Sequence, residues 1–191
     1  MKKKIISVTF LALLGTSITS QAALTDLGNG LIYDTDLNIT WLADGNYAKT
    51  SGYHSTGAMN WGDATTWATS LALQGHSDWR LPTFDEMNHL FYGELGGSDS
   101  LSISYSHNMS YNLFSNIQSG YYWTEKESGP GFAPAFTFSN GRGFPIDEKI
   151  GLNAMAVSPG DIAAVVPEPE AYAMMLAGLG LLGWRMRQRS N

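Results

Sequence analysis

Along "GLIYDTDLNITWLADG" two apolar bursts, Leu31 to Tyr33 and Ile39 to Leu42, flank a polar turn, which predicts two short strands. The period then lengthens. In "NWGDATTWATSLALQG", Trp61, Ala64, Trp67, Ala68 and Leu71 recur at helical spacing, with Asn60 placed to cap the helix and Gly75 to stop it. Within "HSDWRLPTFDEMNHLFYGEL", Pro82 blocks an earlier helix start, and Thr83 and Glu86 form a capping box for a second helix facing Phe84, Met87, Leu90 and Phe91 inward. From Gly93 to Gly120 glycine, serine and asparagine with scattered aromatics predict a long loop region. Strands return at "YYWTE", at "AFTF" and "GFPI" joined by an Asn140-Gly141 hairpin signal, and at "LNAMAV". No internal repeat is present. Two helices, small antiparallel sheets and long loops predict an α+β fold.

The two ends obey other patterns. In "MKKKIISVTFLALLGTSITSQA", Lys2, Lys3 and Lys4 precede an apolar run from Ile5 to Leu14 and a polar region with Ser20 and Ala22. This is the layout of a secretory signal peptide, cleaved by signal peptidase after Ala22. At the other end, the 14 residues from Ala171 to Trp184 carry no charge. As a helix they extend roughly 21 Å against a hydrocarbon core of about 30 Å, and Arg185, Arg187 and Arg189 can snorkel to the headgroups. A core helix of the globular domain is the competing reading; Gly178, Gly180 and Gly183 and the absence of a polar face count against it.

Pro167, Glu168 and Pro169, then the apolar run, then the arginines resemble the PEP-CTERM sorting signal of Gram-negative bacteria that make extracellular polysaccharide. The resemblance implies that an exosortase of the inner membrane recognises tripeptide and helix and cuts the protein free. The tail is then a transient inner-membrane anchor, and the product belongs to the cell envelope or the extracellular matrix. The expected division is a signal peptide over 1–22, one domain over 23–161, an exposed linker over 162–170 and the tail over 171–191.

Without its ends the chain is strongly acidic. The stretch from Ala23 to Val166 keeps only Lys49, Arg80, Lys126, Arg142 and Lys149 against 15 acidic residues, a net charge of about −10. Such a surface repels phosphate backbones, so nucleic acid and anionic lipid are poor partners, while divalent cations and neutral glycans are compatible with it. The cysteine count is zero. A thiol nucleophile, a thiolate metal site and a redox role are thereby excluded, and the fold rests on its core.

"GLIYDTDLNITWLAD", "GHSDWRLPTFDEMNHLFY", "YYWTE" and "AMAVSPGD" resemble the Lcl C-terminal-like domain, over roughly Leu24 to Asp161, with "DWRLPT" the most specific element. The resemblance implies a C-type-lectin-like fold, and a relative in collagen-like bacterial adhesins is associated with binding sulfated glycans. The charge of this domain argues against copying that preference. Met155 and Ser158 stand where the family commonly has tryptophan and arginine. Related formylglycine-generating enzymes work through cysteines, which this chain lacks.

Catalytic signatures are sparse. His54, His76, His89 and His107 show no metal-ligand spacing and read as surface or loop residues. Glu125 and Glu127, about 7 Å apart on one strand face, are the carboxylate pair a glycan-cleaving enzyme would need, with Lys126 between them. Asp34, Asp36 and Asn38 alternate like the first oxygen ligands of a calcium loop, but Ile39 and Gly45 break the EF-hand pattern. A calcium site there needs distant loop oxygens. Trp41, Trp61, Trp67, Trp79 and Trp123 read as core. Tyr47, Tyr53, Tyr105, Tyr111 and Tyr121 lie in or beside loops, and Tyr105, Tyr111 and Tyr121 are the candidate sugar-stacking faces for an extracellular polysaccharide. Trp79, Arg80 and Pro82 form a structural corner, with Arg80 tied to a carboxylate or carbonyl and stacked on an aromatic ring. No catalytic residue and no cofactor other than calcium is expected.

Overall fold

The computed structural model describes residues 23–126 and 128–163. Pro167, Glu168, Pro169, the apolar run predicted to be a tail helix, the arginine cluster, Ala22 and Glu127 lie outside the described residues. Among the described residues no helix is long and apolar enough to cross a membrane.

Two small antiparallel sheets carry the α+β domain. The first has the order β1 (Leu24–Gly28), β2 (Leu31–Asp34), β3 (Ile39–Leu42) and β7 (Val157–Pro159), so the last strand of the described domain closes against one of its first. The second runs β4 (Tyr121–Trp123), β5 (Phe132–Thr137) and β6 (Arg142–Asp147). Both predicted N-terminal strands form, paired Leu31 to Leu42 through Asp34 to Ile39. β1 was not legible, because "LTDLG" turns only Leu24 fully inward.

The helices are short: α1 (Tyr47–Thr50), α2 (Trp61–Ser70), α3 (Phe84–Asn88) and α4 (Ile103–Ser106). Asn60 caps α2 as predicted, its Oδ1 accepting from Asp63 N at 2.8 Å. Gly75 does not stop the helix, which ends five residues earlier. Hydroxyls of Thr65, Thr66 and Thr69 return to carbonyls four residues back, and Leu71 is already extended. Gln74 and Gly75, both at positive φ, instead make a tight turn closed by reciprocal Leu73–His76 backbone bonds. The Thr83–Glu86 capping box is present in full.

Phe84 departs from its predicted inward place. It is 36% exposed, and its ring reaches Phe136 edge-on at 5.6 Å. The predicted loop over 93–120 holds α4 and a 3₁₀ turn, Met109–Leu113, because Ile103 and Phe114 are buried and pull the segment onto the core. "LNAMAV" reduces to bridges at Leu152 and Asn153 and the start of β7. Ile162, one residue past the expected boundary at 161, is buried against the folded unit.

Two apolar clusters fill the interior. One joins Trp41, Met87, Leu90, Phe91, Phe136 and Val157; the other joins Leu31, Trp67, Trp79, Leu81 and Trp123. Four of the five predicted core tryptophans are buried, and Trp61 is half-buried with its indole N–H donated to Thr124 O at 2.9 Å.

Candidate functional site

Residues Trp79 to Pro82 join the clusters to the helical layer. Arg80 exchanges both backbone bonds with Val157, at 2.9 Å each, which locks this corner onto β7. Its guanidinium grips Glu86 with two bonds of 2.9 and 2.7 Å, donates to Leu81 O at 3.0 Å and lies 3.5 Å from Glu125. The predicted tie to a carboxylate and a carbonyl is there; among the described residues no ring stacks on Arg80. Burial would raise the Glu86 carboxyl, but bonds from Arg80 and Thr83 outweigh it and hold the group below the usual glutamate range. Beside this corner, Ser158 donates to Asp78 at 2.8 Å from a buried position.

Glu125 does not lie on a strand. β4 ends at Trp123, and Glu125 follows in a bend, its N–H on Pro82 O and its carboxylate facing Arg80. The strand placement expected for Glu125 is therefore not formed.

Asp34 points inward rather than toward a surface calcium loop. Its Oδ1 accepts from the N–H groups of Asp36 and Leu37 at 3.1 and 3.0 Å, and its Oδ2 from the Trp41 indole at 3.3 Å. Asn38 turns away at φ 51°, its Oδ1 accepting from the Tyr33 hydroxyl. The groups that approach Asp34 come from elsewhere. After α3 the chain continues as a π-helical turn, His89–Glu94, closed by a Leu95 N–H to Leu90 O bond of 2.9 Å. Five positions lie roughly 140° apart around an α-helix, but a π turn stacks them on one face. His89 Nε2 thus sits 3.1 Å from Glu94 Oε1, and ligand atoms of Asp34, His89 and Glu94 all fall within 4.8 Å of one another. Burial, chiefly, pushes the Glu94 carboxyl up, with Asp34 and Asp36 adding to the rise and His89 opposing it. Sequence reading missed this group and took His89 for a surface or loop residue, because an i, i+5 pair carries no helical signature.

A second candidate surface is aromatic. Tyr105 on α4 is 88% exposed, near in sequence to Met109 at 86% and Leu101 at 52%. Hydroxyls of Ser102, Ser104 and Ser119 form a bonded chain at the start of the same helix. Tyr111 is not open in the same way: it stacks on His107 at 4.3 Å and packs against the first cluster. Tyr121 is half-buried at the start of β4. The described residues also form a cavity of about 230 Å³ bordered by Gly30, Asp44, Tyr47 and Gln74 and another of about 290 Å³ bordered by Thr83, Phe84, Thr124 and Lys126.

A family model described as the Lcl C-terminal domain matches residues 30–157. The chain belongs to the Lcl C-terminal domain family. The match contains β2, the "DWRLPT" corner, the π turn and the first residue of β7, so the Lcl domain here is the folded unit just described. A second model, the PEP-CTERM protein-sorting motif, matches residues 165–190. That motif implies export, processing by an exosortase and sorting to the cell surface. No curated protein matches the chain.

Proposed function

We propose that the Lcl domain is a non-catalytic module of C-type-lectin-like fold that binds extracellular polysaccharide in the envelope or matrix after the tail is removed. The observation that carries this reading is Tyr105, an open ring on a short helix whose start carries the bonded hydroxyls of Ser102 and Ser104. Sugar rings stack on such faces while hydroxyls and amides bond their edges. A net charge of about −10 over Ala23 to Val166 directs the preference to neutral or amine-bearing polymers. A binding role needs no acid/base pair, and the Glu125 carboxylate is already engaged by Arg80.

The test is retention of the purified protein on the polysaccharide of the producing strain, with hydrolysis products assayed in parallel. Tyr105→Ala should weaken retention three- to tenfold, the size of one stacking contact. Release of oligosaccharides that is lost in Glu125→Ala would overturn the reading in favour of a glycan-cleaving enzyme.

A further inference from the structure

The geometry points to a site for one divalent first-row transition-metal ion, of which zinc is the type case, held by Asp34, His89 and Glu94. This inference stands apart from the polysaccharide reading and uses none of its residues.

The ligand chemistry is one imidazole nitrogen with two carboxylate oxygens. Imidazole suits zinc and its neighbours, whereas calcium and magnesium select all-oxygen sets, so the site discriminates by donor type. Spacing agrees. The 3.1 Å between His89 Nε2 and Glu94 Oε1 is close to the roughly 3.3 Å between two ligands of a tetrahedral zinc. With all three ligand atoms inside 4.8 Å, each side chain needs to close by about 1 Å or less around a central ion.

The surroundings prepare these groups. Asp34 is fully buried and already oriented by two backbone N–H groups and the Trp41 indole, the kind of outer bonding that fixes ligating carboxylates. Glu94 is 92% buried, and the turn that carries it is anchored by Asn108, whose amide donates to Glu94 O at 2.9 Å. Gly93 lies under the imidazole, where a Cβ would come within 3.3 Å of the ring, so the absence of a side chain there leaves His89 its place. Neither buried carboxylate has an arginine or lysine partner among the described residues; the ion pairs of Arg80 and Arg142 lie elsewhere. Two buried carboxyl groups facing one half-exposed imidazole have no arginine or lysine beside them among the described residues, and a dication is the charge that suits such a set. Access runs through His89, the most exposed of the three.

The experiment uses the full-length chain in detergent, stripped with chelator and then given zinc, calcium or magnesium chloride. Zinc should raise the melting temperature and remain at one equivalent after gel filtration, while calcium and magnesium at equal concentration should not shift melting. His89→Gln and the near-isosteric Glu94→Gln should each weaken zinc binding at least tenfold, and His107→Gln, at an exposed imidazole, should leave it unchanged. Undiminished zinc binding in both variants, an equal response to calcium, or no stoichiometric zinc in the parent would overturn the assignment.

Discussion

Glu86 serves two partners at once, closing the capping box of α3 through the Thr83 N–H at 2.7 Å and taking both arms of the Arg80 fork. Lysine offers a point charge where this geometry uses a planar pair of donors, so Arg80→Lys should lower stability by about 1 to 3 kcal/mol, read from chemical or thermal unfolding. Unchanged melting would refute the structural role. The same pair sets a pH dependence. Because the folded Glu86 carboxyl is held below its ordinary value, its stabilisation is present above the unfolded value of about 4.3 and is lost as pH falls through the folded one. Glu86→Gln should flatten that part of the acid limb. Ser158 shows residue logic of another kind: its buried hydroxyl satisfies Asp78.

At the scale of elements, caps proved more legible than ends. Asn60 and Thr83 act where the sequence placed them, since an N-cap needs only a side-chain oxygen two or three residues from a free N–H. Asn60→Ala should therefore cost about 1 kcal/mol, measured as a lower unfolding midpoint with unchanged m-value. The end of α2 was not legible, because hydroxyl back-bonding by Thr65, Thr66 and Thr69 and the Leu73–His76 turn decide it together. Nor was the π turn. Its extra residue is fixed by Leu90, Phe91 and Leu95 all reaching the first cluster, a packing demand that no local period announces.

For the whole molecule, the C-terminal boundary of the folded unit matters to sorting. Ile162 is buried and its N–H lies 3.5 Å from Thr40 Oγ1 on β3, while Ala163 is exposed. A cut near Pro167 therefore spares every described contact of the domain. Mass spectrometry of the exported product should find an N-terminus near Ala23 and a C-terminus near the Pro-Glu-Pro, with the melting temperature of the domain unchanged by the cut. Glu168→Ala should leave unprocessed protein in the inner membrane. Recovery of the arginine tail on the extracellular form would reject sorting by cleavage.

The sequence by itself determined what depends on local order and composition: the sorting motif, the strands flanking Asp34, both helix caps, the tryptophan core and the acidic surface. Tertiary structure decided what depends on contacts far apart in the chain. It turned Asp34 inward onto Trp41, placed His89 and Glu94 against it across more than fifty residues, closed β7 on β3, and left Tyr105 open while stacking Tyr111 on His107. Patterning reports which face of an element is apolar, but which faces meet is set by packing both clusters without voids, and the groups that converge at a site are fixed only then.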